Sequence, residues 1–199
     1  MTFIGDAAGV TQYLTFQMAG EEYAVELQRV REIIQLDAVT RVPSAPPWIT
    51  GVVNLRGSVV PVVDLAVKFG MEPARITRWT CLVIVEVELE GEPVVMGVLA
   101  DTVSQVLDLS ADDIEAPPSF GTRVGSDHLV GMAKQGNRFA LLLELDSVLT
   151  AEDAAGTRAI TDAEEEATAL EIGGEEMGPS DDGDVATADA DAALVESAG

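Results

Sequence analysis

Through its first 150 residues the chain repeats one motif: a short run of apolar positions, often alternating with polar ones, closed by a turn. Leu14, Phe16 and Met18 alternate with Thr15 and Gln17, the period-two rhythm of a strand with one buried face. After the turn Ala19-Gly20-Glu21-Glu22, the rhythm resumes at Tyr23, Val25 and Leu27. Gly51 to Leu55 and Ser58 to Val63 form a second pair around Arg56-Gly57. Thr80 to Leu89 and Pro93 to Ala100 form a third around Glu90-Gly91, and Leu129 to Lys134 and Arg138 to Leu145 a fourth around Gln135-Gly136-Asn137. Short Val-rich runs with glycine at the turns predict an all-β chain built of antiparallel sheets or barrels.

Helical signals are few and short. Ser44 to Gly51 offers a capping serine, prolines tolerated in a first turn and a terminating glycine. Asp64 to Gly70 and Asp146 to Leu149 each open on a capping aspartate. Helices this short need tertiary packing to stand. Arg29 to Gln35 fits a strand and a helix equally.

From Ala151 the apolar rhythm stops. Residues 151–199 contain no aromatic residue and only six Leu, Ile or Val. Such a segment cannot bury enough apolar surface to offset roughly 1–2 kcal/mol of backbone entropy per residue. The division expected is a flexible start over residues 1–10, a folded body over 11–150, and a disordered acidic tail over 151–199, with room for one short helix at Thr161 to Ile172.

Charge sharpens that division. The net charge of −24 is uneven: residues 1–150 carry twenty acids and ten bases, residues 151–199 fifteen acids and only Arg158. Nucleic-acid binding is not expected, because it needs clustered Lys and Arg to displace condensed counterions. Lysine is scarce in the body, at Lys68 and Lys134 alone, which fits a high-salt cytoplasm and a biased genome equally well. The single cysteine, Cys81, can form no internal disulfide. With no signal-peptide pattern and no run of 18 apolar residues, the reading is a soluble, intracellular protein without membrane insertion.

Catalytic chemistry is poorly represented. His128, the sole histidine, lies in the loop Gly125-Ser-Asp-His-Leu129 with no evident partner for base or phosphoacceptor work. Cys81 opens an apolar run, where a small buried thiol is the ordinary role. One His and one Cys make no zinc set, and Asp112-Asp113 lacks calcium-loop spacing and reads as a solvated face. No Gly-rich loop leads to a Lys-Ser or Lys-Thr pair. No cofactor or metal is expected.

The most distinctive stretch runs from Arg41 to Leu65, with Asn54 and Arg56 set in an otherwise apolar hairpin. Polar groups in such a setting need partners, and Glu32 in Val30-Arg-Glu-Ile-Ile34 is the candidate acid for Arg56. From the residues alone, an exposed turn arginine is an equal reading.

Gln12-Tyr-Leu-Thr-Phe16, Gly20-Glu-Glu-Tyr-Ala-Val25 and Val30-Arg-Glu-Ile33 precede Gly51-Val-Val-Asn-Leu-Arg-Gly57 and Pro61-Val-Val-Asp-Leu65. Gly97-Val-Leu-Ala-Asp-Thr-Val-Ser-Gln-Val106 and Leu129-Val-Gly131 follow. In this order and spacing, over about residues 11–150, the series resembles the CheW family. The resemblance implies two small five-stranded, SH3-like β-barrels packed together. It implies a non-catalytic adaptor that holds the helical hairpin tip of a chemoreceptor while binding the regulatory domain of the histidine kinase CheA. That domain shares the fold, so the two join barrel to barrel, and other CheW copies join in the same way. Helix-in-groove recognition would supply the physics. By resemblance, Glu32 and Arg56 match the acid and arginine of receptor coupling, and Val30, Gly51, Val98 and Val103 match positions in or near the receptor groove. For the valines, plain core is the competing role. Glu115 and Phe120 match contacts to the kinase or a neighbouring barrel. Trp48 and Trp79 read as packing residues. The implied location is cytoplasmic, at receptor arrays on the inner face of the membrane.

Two features depart from the family pattern: the tail of nearly fifty residues and the acidity of the body. The tail supplies neither a kinase nor a receiver domain, which separates the chain from CheA and from CheV. The rival from another class is a small-ligand-binding β-barrel or an enzyme with carboxylate chemistry.

Overall fold

The fold is seen in a computed structural model that describes residues 9–43, 45–117 and 123–154. The Ser44 cap, Phe120, the helix at Thr161 to Ile172 and residues 155–199 lie outside the described residues; residues 151–154, expected in the disordered tail, instead form a helical turn with Asp153 and Ala154 buried.

Eleven strands are formed by the described residues: β1 (Val10–Met18), β2 (Glu21–Glu26), β3 (Val30–Gln35), β4 (Ile49–Leu55), β5 (Ser58–Val63), β6 (Cys81–Leu89), β7 (Glu92–Ala100), β8 (Thr102–Ser110), β9 (Ile114–Glu115), β10 (Leu129–Gln135) and β11 (Arg138–Leu143). One sheet runs β8-β1-β2-β11-β10-β9 and the other β3-β6-β7-β5-β4. Both sheets curl, as in a pair of SH3-like barrels. The smaller sheet is made entirely from the middle of the chain, while β2 and β11 bring the two ends of the fold together as parallel neighbours. Each sheet repeats one device. A hairpin, β4–β5 or β10–β11, runs into a one-turn helix, α1 (Leu65–Lys68) or α2 (Leu145–Val148).

The hairpin corners follow from local chemistry. Arg56 and Gly57 join β4 to β5 with φ of 53° and 91°, the doubly positive turn whose twist suits antiparallel strands. In β1 Leu14, Phe16 and Met18 point into the core as expected, but the strand is covered on both faces: Thr15 is also fully buried and Tyr13 packs in a second cluster with Ala24 and Leu142. One apolar cluster spans both sheets, joining Leu14, Phe16, Met18 and Tyr23 to Val83, Val85 and Met96. The two sheets therefore share a core.

Several expectations are corrected. The helix expected at Ser44 to Gly51 is not formed by residues 45–51: Pro47 and Trp48 form a turn, closed by the Ile49 N–H donating to the Pro46 carbonyl at 2.9 Å, and β4 begins at Ile49. The strand wins because the Val52 N–H and carbonyl both pair with Thr40. Arg29 to Gln35 resolves into the end of a 3-10 turn and then β3, whose burial alternates. Asp64 caps α1 as expected, its carboxylate accepting from the Ala66 and Val67 N–H groups. The cap of α2 is Glu144 rather than Asp146, whose carboxylate instead takes the Arg29 guanidinium at 2.6 Å and the Glu88 N–H at 3.0 Å. β8 continues the chain directly after β7 and pairs with β1. Trp79 is 66% exposed, with the Arg78 guanidinium 4.8 Å from its ring centre, so it is not a packing residue.

Candidate functional site

Glu32 and Arg56 meet. A bulge at Arg31 breaks the alternation of β3, so that Val30 pairs with Val85 on the shared-core side and Glu32 with Ile84 on the opposite face, while the tight Arg56-Gly57 corner lifts Arg56 outward. Arg56 Nη2 donates to Glu32 Oε2 at 2.9 Å. The corner is braced from below, where Asn54 Oδ1 accepts from the Gly57 N–H at 2.9 Å. The pair is not embedded in apolar surroundings: the Arg56 side chain is 81% exposed and that of Glu32 27%. Of the two readings left open by the residues, the structure combines both, a turn arginine in solvent that also holds Glu32.

The pair sits on a shallow groove of about 440 Å³ whose floor includes Leu55, Val59, Val60, Pro61 and Val94. Arg31, beside Glu32 on β3, also lines it and is paired with Glu86. The groove thus offers two guanidinium groups and one carboxylate above an aliphatic floor. An apolar helix face with a few charges would match it. A small molecule would find little enclosure there.

The other residues expected at a site lie elsewhere. Val98 on β7 is 1% exposed, within the shared core, and its reach to a partner would be through packing. Val30 and Val103 are partly buried against the same core. Gly51 on β4 has φ of 152°, and a side chain there would collide with the Thr40 carbonyl oxygen. Glu115 is exposed on β9, at the edge of the larger sheet. Phe120 lies outside the described residues.

A second polar cluster has no counterpart in the sequence reading. Asp153 is fully buried, and it accepts from Trp48 Nε1 at 2.6 Å and from the Thr150 N–H at 2.8 Å. Lys68 Nζ pairs with Oδ2, the oxygen that also takes the Thr150 N–H, and lies 5.1 Å from the centre of the Trp48 ring. Burial pushes the Asp153 carboxyl up. The hydrogen bonds from Lys68, Thr150 and Trp48 and the charge of Lys68 outweigh that and hold it below the ordinary aspartate value. Thr150 to Ala154 are thereby clasped onto α1 and the Trp48 turn. Nothing in the sequence tied Asp153, one acid among many, to residues 85 and 105 positions earlier.

Among the described residues, no group of His, Cys, Asp and Glu side chains could hold a metal ion. Burial raises the Cys81 thiol, which makes it a poor nucleophile. His128 faces Ser147 and the Phe69 ring, a packing role between the two helix ends. Asp113 closes a capping box with Ser110, whose hydrogen bonds hold its carboxyl low. No helix among the described residues is long and apolar enough to cross a membrane.

Comparison with known proteins gives a consistent answer. The model of the CheW-like domain matches residues 12–153. The chain is 34% identical to the chemotaxis protein CheW of Klebsiella aerogenes over 151 residues, covering 76% of this chain and 88% of that protein. It is 33% identical to the protein FrzA of Myxococcus xanthus over 133 residues, covering 66% and 80%. The fold matches the crystal structure of the scaffolding protein TtCheW from Thermoanaerobacter tengcongensis with a TM-score of 0.64 at 26% identity, covering 74% and 93%.

Proposed function

The chain belongs to the CheW-like domain family, and we propose on that footing that it is the coupling adaptor of a chemotaxis-type array, holding chemoreceptor tips beside a CheA-type histidine kinase. It is a scaffold, not an enzyme. The observation that carries the receptor side is the Glu32–Arg56 pair over the aliphatic groove. A receptor tip is a helical hairpin with an apolar stripe and polar flanks. The groove supplies apolar contact, and the pair supplies charges whose geometry is already set. Val30 packs on the core side of β3, Val103 and Val98 stiffen that shared core, and Gly51 lets the Thr40 segment close over β4. None of these needs to touch the receptor to matter.

The kinase side is assigned to the far edge of the larger sheet, with Glu115 on β9 and Phe120 just after it as contacts for the regulatory domain or for another copy of this family. The adaptor works at the cytoplasmic face of the membrane, carried there by the receptors. Pull-down of a receptor signalling fragment tests the reading. The fragment should be retained by the wild type and lost with Arg56→Ala, while the kinase regulatory domain is retained by both. A chain that ignores the fragment would return the groove to the rival reading of a ligand-binding barrel.

A further inference from the structure

The clasp at Asp153 fixes the place where the last 45 residues leave the folded body. Ala154, the next residue, lines the same groove as Arg31, Glu32 and Arg56. The residues beyond it carry thirteen carboxylates and one base, Arg158, with Ile160, Leu170 and Ile172 interspersed among the first acids. The groove presents the complementary set: two guanidinium groups, more than half exposed, above Leu55, Val59 and Val94. Each arginine uses one nitrogen in its recorded pair and has five N–H donors to offer.

We infer that residues 155–199 occupy this groove in cis, with Glu164-Glu165-Glu166 meeting Arg31 and Arg56, so that a receptor tip must displace them. The inference rests on the reading of the groove as the receptor site. The tether makes weak contacts sufficient. Ten residues separate Ala154 from Glu164. A coil of that length spans roughly 16–19 Å, which corresponds to an effective concentration on the order of millimolar. The body is itself net negative, and the short tether favours the arginines beside its exit over those exposed elsewhere, such as Arg75, Arg78 and Arg138. Salt weakens such contacts, so occupancy falls as ionic strength rises.

A nitroxide at Thr168→Cys, in full-length protein carrying Cys81→Ser, tests occupancy without any receptor. The amide signals of Arg56, Val59 and Val94 should broaden, and those of Thr11 and Glu115 in the other sheet should not. Replacing Glu164, Glu165 and Glu166 by Gln should relieve the broadening. Uniform broadening, or none at the groove, overturns the inference. In a second arm, the same triple variant should bind a receptor signalling fragment several-fold tighter than the wild type at low salt, and equal affinity overturns the competition. Broadened groove signals in a chain that ignores the fragment, even with the three acids neutralised, would leave the docking standing and remove the receptor reading instead.

Discussion

Lys68–Asp153 and Arg56–Glu32 are each a single cation–carboxylate contact between distant segments, 85 and 24 residues apart in sequence. Their settings are opposite. Asp153 is wholly buried, and its oxygens are saturated by Lys68, Trp48 and Thr150. Arg56 is almost wholly in water and offers one contact to a half-buried glutamate. A buried charge loses its hydration and must recover it from fixed donors, so removing one partner strands the rest. A solvated pair exchanges one good environment for another and contributes little to folding. The same chemistry therefore serves two ends: the clasp holds the C-terminal turn on the body, and the rim pair is free to be spent on a partner.

The sharpest break of that contrast is Asp153→Ala. It leaves Lys68 and Trp48 facing a buried vacancy and should cost about 3–5 kcal/mol in denaturant unfolding. Arg56→Ala should cost about 1 kcal/mol or less by the same measurement. Comparable losses from the two variants would mean that burial does not separate the pairs.

Gly51→Ala tests a third kind of constraint, backbone closeness without charge. The new methyl meets the Thr40 carbonyl and the φ of 152° disfavours it, so a loss of about 1–3 kcal/mol is expected in the same unfolding measurement. Its receptor binding should fall only in proportion to its folded fraction.

Acid should probe the Asp153 clasp more gently. Asp153 has a folded value below its unfolded one, so its stabilisation is fully present above the ordinary aspartate value of about 4 and is lost as pH falls through the lower folded value. The wild type should therefore lose more stability between pH 5 and pH 2 than Asp153→Asn does. Parallel pH curves for wild type and Asp153→Asn would remove the clasp as an acid-sensitive element.

The smallest effect is expected from deleting residues 155–199. The clasp ends at Ala154, and the segment beyond it has little apolar surface to pack, so thermal melts of full-length and shortened chains should nearly coincide. A fall of many degrees would show that the segment supports the body as well as the groove.

The sequence made the hairpins legible because their signals are local. The apolar alternation of Leu14, Phe16 and Met18 and the Arg-Gly corner each depend on a few neighbouring residues, whereas the cover over the strand's other face, at Tyr13 and Thr15, comes from distant segments. The Glu32–Arg56 contact was also within reach, since a charge amid apolar runs asks for a partner and only a few acids lie nearby. What it did not reveal was the degree of exposure, which depends on how the hairpin corner projects from the curled sheet. The Asp153 clasp was invisible because its donors come from a turn, a helix and the residue just before the acid's own helical turn, with no spacing rule joining the three. The helix expected at Ser44 to Gly51 failed for the same reason: local capping signals yielded to the pairing of Val52 with Thr40. Trp79 went the other way, an aromatic whose flanking strand suggested burial but whose loop leaves it in solvent.

The most direct test of the receptor assignment is a double-mutant cycle on Glu32 and Arg56, read as affinity for a receptor signalling fragment, with unfolding measured on every variant. If the pair acts as one unit at the groove rim, Arg56→Ala and Glu32→Ala each lower affinity at least tenfold, about 1.4 kcal/mol, while the fold is nearly unchanged. The double variant is then no worse than either single. Strictly additive losses would mean that the two side chains act independently, and wild-type affinity in either single variant would contradict the assignment of the groove to the receptor.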